Sequence, residues 1–453
     1  MTGPIMPDGT LDPALLTYAR QEMETDDVPG LALGVLHAGR TATTGLGVTS
    51  VPHPRPVDGE TLFQIGSISK TFTVTALLQL AERGALDLDD PIRAHLPGFT
   101  VADDTVSAQV TVRDCMTHSC GWEGDFFDLT GRGDDALAAT VHHMATLRQV
   151  TPRGRMWSYN NAAFYPLGRI VETLHGTTYE NAVARELFGP LRMTSACFFA
   201  EDVLHHGFAV GHTRHEGRTV VARPWAMPRS ANPVGGVVAS AEDLMRYAQF
   251  QLYGGQVLGD SLRLAAQRPA GPAEDTPEIG LGWWIDGDGP DRIVHHGGGA
   301  NGQPALFAMM PSHELAVAVL TNGSGGAVTA RRILDRIART YAGVREKPPE
   351  AETEAVVDIG TDDWTGTYET RLDRYVLRRE DDGLVLDSSV LGEWLENPDP
   401  PTVQGIHTTP VRPVTDRTLL ISPGQRRQTT ATLLTDDRGD IRWLRFAHRA
   451  ALR

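Results

Sequence analysis

Ser67-Ile68-Ser69-Lys70 sets a hydroxyl three residues ahead of an amine. If the segment is helical, positions i and i+3 share a face and the amine reaches the hydroxyl. A serine hydroxyl is a poor nucleophile at neutral pH and needs such a base to attack an acyl carbonyl. The start of a helix adds partial positive charge beside the oxygen as it becomes an alkoxide. A capping serine followed by a surface lysine has the same spacing, so the pair alone leaves both readings open. The lysine itself is a rarity in this chain. Of 41 basic residues only Lys70 and Lys347 are lysine, and all others are arginine. Arginine stays protonated and cannot act as a base, whereas a lysine can shed its proton where its surroundings disfavour charge.

Two further clusters have types suited to the same chemistry. Tyr159-Asn160-Asn161 follows the turn-forming Thr151-Pro152-Arg153-Gly154 and precedes a helical segment. A phenol can relay a proton and an amide can hold a substrate, although such a loop can equally cap a helix. His296-Gly297-Gly298-Gly299 ends a predicted strand. Glycines there let a substrate backbone approach and pair with the strand edge; a tight turn is the other reading. Taken in order, Ser-x-x-Lys, Tyr-x-Asn and His-x-Gly resemble the serine β-lactamase and penicillin-binding-protein superfamily, in particular its class C-like branch of esterases and D-peptidases. The resemblance spans roughly residues 10 to 342, and Thr117–Gly121 and Gly235–Ser240 look like further landmarks of it.

That resemblance implies catalytic roles for Ser67, Lys70, Tyr159, Asn161 and His296. Ser67 would attack the acyl carbonyl while Lys70 and Tyr159 share its proton. The main-chain N–H groups of Ser67 and Gly299 would form the oxyanion hole, and Gly297 and Gly298 would line the substrate. Asn161 would bond Lys70 and the substrate amide. Tyr159, its pKa lowered by nearby cations, would activate the group that clears the acyl-enzyme. His296 departs from the family's usual lysine, a permanent cation that helps bind a substrate carboxylate; histidine is mostly neutral at pH 7. Efficient penicillin hydrolysis is therefore not expected. An ester or a small D-amino-acid-containing peptide is the expected acyl substrate. A penicillin-binding-protein-type thioesterase or peptide cyclase acting on a carrier-bound peptide is the alternative, and a non-enzymatic binding or sensing module is a third. His296 can also be read as a structural histidine bonded to a loop.

The elements that must position these residues are legible in outline. Asp12-Pro13 opens a helix over 12–24, and 31–36 and 41–47 read as a hairpin through Ala38-Gly39. Residues 67–83 read as a helix closed by Gly84, with Ile68, Phe72, Ala76, Leu77 and Leu80 recurring at helical steps. Residues 100–270 look mostly helical. Strands return at 292–296, 306–310 and 315–320, and a helix carrying Val328, Leu334 and Ile337 follows. Strands at both ends of a helical middle predict an α+β domain over 1–345, an antiparallel sheet flanked by a helical region. A linker over 346–362 and a small all-β barrel over 363–453 complete the expected plan, the barrel resembling the lipocalin-like domain that some members append.

Composition narrows the function. With 453 residues and a net charge of -16 the chain does not suit nucleic acid, whose binding rests on basic residues neutralising phosphates. No apolar run is long enough for a membrane span, and the N-terminal residues do not read as a signal sequence, so a cytoplasmic location is expected. Cys115, Cys120 and Cys197 read as reduced thiols, and the histidines show no metal-ligand spacing, so neither metal nor cofactor is expected. Trp122–Phe127, with Asp125, reads as core. Arg442, Arg445, Arg449 and Arg453 read as a solvated basic face, with a substrate-carboxylate anchor as the alternative.

Overall fold

The computed structural model describes residues 3–272, 278–344, 361–380, 383–391, 406–422 and 429–453. Most of the expected linker, with Lys347, lies outside these residues. The chain opens with the helix Pro13–Thr25, capped by the Asp12 carboxylate, which accepts from the Ala14 N–H at 2.8 Å. Strands β1 (Gly30–His37) and β2 (Arg40–Gly47) form the predicted hairpin. A short strand β3 (Phe63–Gln64) leads into a 3₁₀ turn (Gly66–Ile68) and the helix Ser69–Glu82. Helices dominate the middle, where the sequence expected them, but the hairpin β4 (His212–His215) and β5 (Arg218–Val221) and the short strand β6 (Val238–Ala239) interrupt them. Strands β7 (Glu278–Ile279), β8 (Trp284–Asp286), β9 (Ile293–Ala300), β10 (Gln303–Met310) and β11 (Leu315–Thr321) then return to the sheet, and the helix Gly326–Ile337 follows.

The sheet is antiparallel, ordered β2-β1-β11-β10-β9-β8-β7. Pairing of the first strands with the last is what ties the two ends of this region together. Both faces of the central strands are covered, so β1 and β11 are apolar up to their last residues, His37 and Thr321, instead of alternating with polar residues. Leu31, Leu33 and Val35 pack with Leu15, Ile333 and Leu334 of the terminal helices. Ala32 and Leu36 face the other way, into a larger core with Phe72, Leu244 and Tyr247. The helix Ser69–Glu82 runs through that core and is buried on every side from Ser69 to Leu80, the expected state of a helix with no polar face. Its threonines satisfy themselves inside: Thr73 Oγ1 donates to the Pro233 carbonyl at 2.7 Å and Thr75 Oγ1 to Thr71 at 2.8 Å. The α+β plan predicted from the sequence is the plan observed.

The remainder closes on itself. Strands β12 (Gly366–Glu369), β13 (Asp373–Glu380), β14 (Gly383–Val390), β15 (His407–Pro413), β16 (Thr418–Ile421), β17 (Thr429–Thr435), β18 (Ile441–Phe446) and β19 (Arg449–Leu452) form a closed barrel, β19 pairing back to β12. Closure leaves no free sheet edge. Tyr368, Leu377, Leu419, Leu433 and Leu444 fill the interior.

The basic C-terminal stretch is only in part the solvated face read from its arginines: Arg442 and Arg453 are exposed, but Arg445 and Arg449 turn inward. It is the hairpin β18–β19, and it lies against the first region. Trp443 packs on Met156 and its indole N–H donates to the Val150 carbonyl at 2.9 Å. Arg445 is buried, its guanidinium 4.1 Å from the centre of the Trp157 ring. Glu123 is almost wholly buried between Arg148 at 2.7 Å and Arg371 of the barrel at 3.2 Å. Among the described residues no helix is long and apolar enough to cross a membrane.

Candidate active site

Ser67 lies in the 3₁₀ turn just before the buried helix, not in the helix itself as its sequence spacing suggested. Three residues per turn still put positions 67 and 70 on one side. The Lys70 amine donates to Ser67 Oγ at 3.0 Å and to the Val234 carbonyl at 2.8 Å. Ser69 braces the turn: its hydroxyl donates to the Gly66 carbonyl at 2.7 Å and accepts from the Val237 N–H at 2.9 Å. Ser67 itself is partly exposed, whereas Lys70 has 0% of its surface exposed. Among the described residues no carboxylate pairs with that amine. Burial, followed by the charge of Arg449, holds the Lys70 pKa well below its usual value, with Asp125 opposing. A neutral amine can accept a proton; a paired ammonium cannot.

Tyr159 completes the group. Its hydroxyl is hydrogen-bonded to Ser67, and its ring centre lies 5.1 Å from the Lys70 amine. The ring packs against His118 at 4.5 Å and Trp284 at 5.8 Å between centroids. The expectation that neighbouring cations depress its pKa is overturned. Burial pushes the phenol up, more than the Ser67 hydrogen bond and the Arg449 charge pull it down. Tyr159 therefore rests as a neutral hydroxyl.

Asn161 also departs from expectation. It does not bond Lys70; its Nδ2 donates to Asp125 Oδ1 at 2.8 Å. Asn160 is structural, donating to the Trp122 carbonyl at 2.7 Å and accepting from the Ala163 N–H at 2.8 Å. Asp125, set aside from sequence as part of an aromatic core segment, is buried and also receives Arg449 of β19 through two hydrogen bonds from one guanidinium edge: Nη2 to Oδ1 at 2.9 Å and Nε to Oδ2. An acidic residue beside Trp and Phe, without a local cation to pair with, was the signal available.

β9 does not end at His296 but continues through the glycines to Ala300. β10 pairs along this stretch, while β8 covers only Ile293–His295, so the Gly297–Ala300 half has an open edge among the described residues. The reason for glycine is steric. A Cβ on Gly298 would lie 1.9 Å from the Ile65 carbonyl oxygen, and one on Gly66, whose φ is +52°, would lie 2.4 Å from the Gly299 nitrogen. The strand thus presses backbone to backbone on the turn that carries Ser67. Gly298→Ala is expected to push the turn aside and slow acylation about 100-fold, the usual effect of a displacement near 1 Å. Wild-type melting and wild-type acylation in that variant would show that the contact is not tight.

His296 is buried and neutral. Burial and the neighbouring Lys70 push its pKa down to about 3, and its Nδ1 lies 2.6 Å from the Gly297 carbonyl. Its Nε2 has no hydrogen-bond partner among the described residues. His118, also neutral because burial and Lys70 lower its pKa, accepts the Asn160 N–H at 3.1 Å. The sequence-predicted residues Ser67, Lys70, Tyr159, Asn161, His296 and the glycine strand therefore converge at one place. Val234, Asp125, Arg449 and the His448 carbonyl, which receives the Tyr159 N–H at 2.8 Å, join them.

The profile of the beta-lactamase family matches residues 16–342. Penicillin-binding protein 4 of Amycolatopsis lactamdurans is 34% identical over 358 residues, spanning 76% of this chain and 90% of its own length. Among solved structures, SurE with D-Leu aligns over 97% of this chain and 98% of its own, with a TM-score of 0.74 and 22% identity. The class C beta lactamase from Rhodobacter sphaeroides aligns over 72% of this chain and 99% of its own, with a TM-score of 0.59 and 25% identity. With the fold, the converging residues and these likenesses in agreement, the chain belongs to the beta-lactamase family and its general chemistry is that of a serine hydrolase or acyltransferase.

Proposed function

We propose that the chain takes acyl groups from esters or small D-amino-acid-containing peptides through an acyl-enzyme on Ser67. The observation that carries this reading is the Lys70 amine: fully buried, unpaired by any described carboxylate, and 3.0 Å from Ser67 Oγ. Neutral Lys70 takes the Ser67 proton as Oγ bonds to the acyl carbon. The N–H groups of Ser67 and Gly299 receive the carbonyl oxygen, a role supported by the close approach of Gly299 to Gly66. Tyr159, neutral and bonded to Ser67, hands a proton to the leaving group. The Lys70 ammonium then restores the Tyr159 proton, and in the second half Lys70 takes a proton from the group that attacks the ester and returns it to Ser67 Oγ as the acyl–oxygen bond breaks. An extended donor can add to the open edge of β9, with Gly297 and Gly298 leaving room for its backbone.

The neutral His296 supports a donor that does not depend on a fixed cation at this strand, and so supports ester or peptide substrates over penicillins. One observation favours a second reading, in which an amine, not water, clears the acyl-enzyme, as in a thioesterase or cyclase fed by a carrier-bound peptide. The likeness to SurE with D-Leu runs through the barrel as well as the sheet region, over 97% of the chain. Intact mass measurement after exposure to a panel of esters, peptidyl thioesters and fluorophosphonates tests both. A single adduct on Ser67 that turns over is the expected result. Cyclic or amine-linked product selects the second reading, acid alone removes it, and an adduct that never turns over with any donor points to a sensor. No adduct at all refutes the proposal.

A further inference from the structure

The barrel reaches the candidate site through the turn between β18 and β19 and the start of β19. The His448 carbonyl accepts the Tyr159 N–H at 2.8 Å, and the Ala450 N–H donates to Ser158 Oγ at 3.0 Å. Between these two contacts Arg449 grips Asp125, whose side chain is 3% exposed, and Asp125 in turn accepts the Asn161 amide. A carboxylate only accepts, so it dictates which end of the Asn161 amide faces it and leaves the carbonyl end for the other side. Paired hydrogen bonds from a guanidinium fix the carboxylate plane in a way that a single contact cannot.

We propose that Arg449 is a positioning residue supplied by the barrel, which through Asp125 orients Asn161 and sets the electrostatic balance at Lys70. This rests on the acyl-transfer reading above. The groups acting on the Lys70 amine come from several elements: Ser67 from the 3₁₀ turn, Tyr159 from the adjoining loop, His118, His296 from β9, Asp125, and Arg449 from β19. The two histidines are neutral because burial and Lys70 itself lower them, His448 is pushed down to about 4 by burial and then by Arg449, and Tyr159 is neutral because burial raises it. Full charge beside the amine therefore comes from Arg449, which lowers its pKa, and Asp125, which raises it. Removing Arg449 leaves Asp125 to act alone, so Lys70 holds its proton to higher pH. The limb on which acylation rises with pH must then move upward.

The test uses the full-length chain and p-nitrophenyl acetate, a donor with no carboxylate, and measures acylation rate against pH. Arg449→Gln is expected to be slowed at least tenfold at pH 7 and to recover part of that loss at alkaline pH, its limb displaced upward by about one unit. Asp125→Asn should move the limb the other way, and the double variant should bring it back near wild type while staying slow. Arg449→Lys keeps the cation but not the paired hydrogen bonds, so it should slow without moving the limb. It also stands in if the glutamine variant does not fold, in which case a displaced limb in it overturns the proposal. An unmoved limb in Arg449→Gln, whether the rate is kept or lost, overturns it as well. Loss confined to carboxylate-bearing donors would make Arg449 a substrate contact and overturn the positioning role. If wild-type Ser67 is never labelled by a fluorophosphonate, the acyl-transfer reading itself has failed, a result separate from all of these.

Discussion

Lys70→Arg is expected to slow acylation of Ser67 by about 1,000-fold although the formal charge is conserved, within the range that general-base catalysis supplies. The amine sits in a fully buried place, and burial is the main reason that its pKa falls. A guanidinium in the same place keeps its proton, so Ser67 gains a donor and loses a base. The substitution has a second cost. A permanent, larger cation must be held where no described carboxylate pairs with the side chain, and an uncompensated buried charge costs several kcal/mol. Arginine should therefore lower the melting temperature as well as the rate. Lys70→Ala separates the two effects, since it also lacks the base but introduces no charge: it should match arginine in rate and exceed it in stability. Burst kinetics with an activated ester, alongside thermal melts, read both. An arginine variant acylated within tenfold of wild type would end the assignment of Lys70 as the base.

Tyr159→Phe is expected to slow acyl transfer about 100-fold or more with little change in stability. The contrast follows from where the hydroxyl and the ring make their contacts. The ring packs on His118 and Trp284, and phenylalanine keeps those contacts. The hydroxyl bonds Ser67, and losing one hydrogen bond of this kind costs about 1 kcal/mol of folding free energy. No charge disappears, because burial keeps the phenol protonated. For that reason the rising limb of the pH profile, which reports Lys70 losing its proton, should stay where it is. Single-turnover acylation across pH, set beside a thermal melt, is the measurement; rates within threefold of wild type would demote the tyrosine to packing.

The placement of Lys70 beside Ser67 and of the glycines on a strand was legible in sequence because each depends on local spacing. Helical steps of apolar residues located the buried helix, and a lysine in an arginine-dominated chain stood out by type. The barrel was foreseen from short alternating segments such as 375–379 and 429–434. β15 was missed, since His407–Pro413 carries two prolines and two threonines and shows no clean alternation. β18 and β19 were missed for a different reason: their arginines were read as solvated when Arg445 and Arg449 in fact turn toward Trp157 and Asp125.

The failures at the site have two causes. Asp125 and Arg449 are 324 residues apart, and no local pattern joins them. Without that pair, only the family resemblance supplied partners for Asn161, namely Lys70 and the substrate amide. The Tyr159 error was one of weight and not of neighbours. Arg449 does lower its pKa as nearby cations should, but burial, which a sequence does not display, outweighs it.

Lys70 is also the single lysine among the described residues, and it is wholly enclosed. An activated acyl group held on a serine is a hazard to any free amine that drifts past, including those on other copies of the same protein. On the acyl-transfer reading proposed above, the described surface, furnished with guanidinium groups instead of ammonium groups, would offer poor competitors for that group, so stray self-modification would be suppressed and the choice of acceptor left to the pocket.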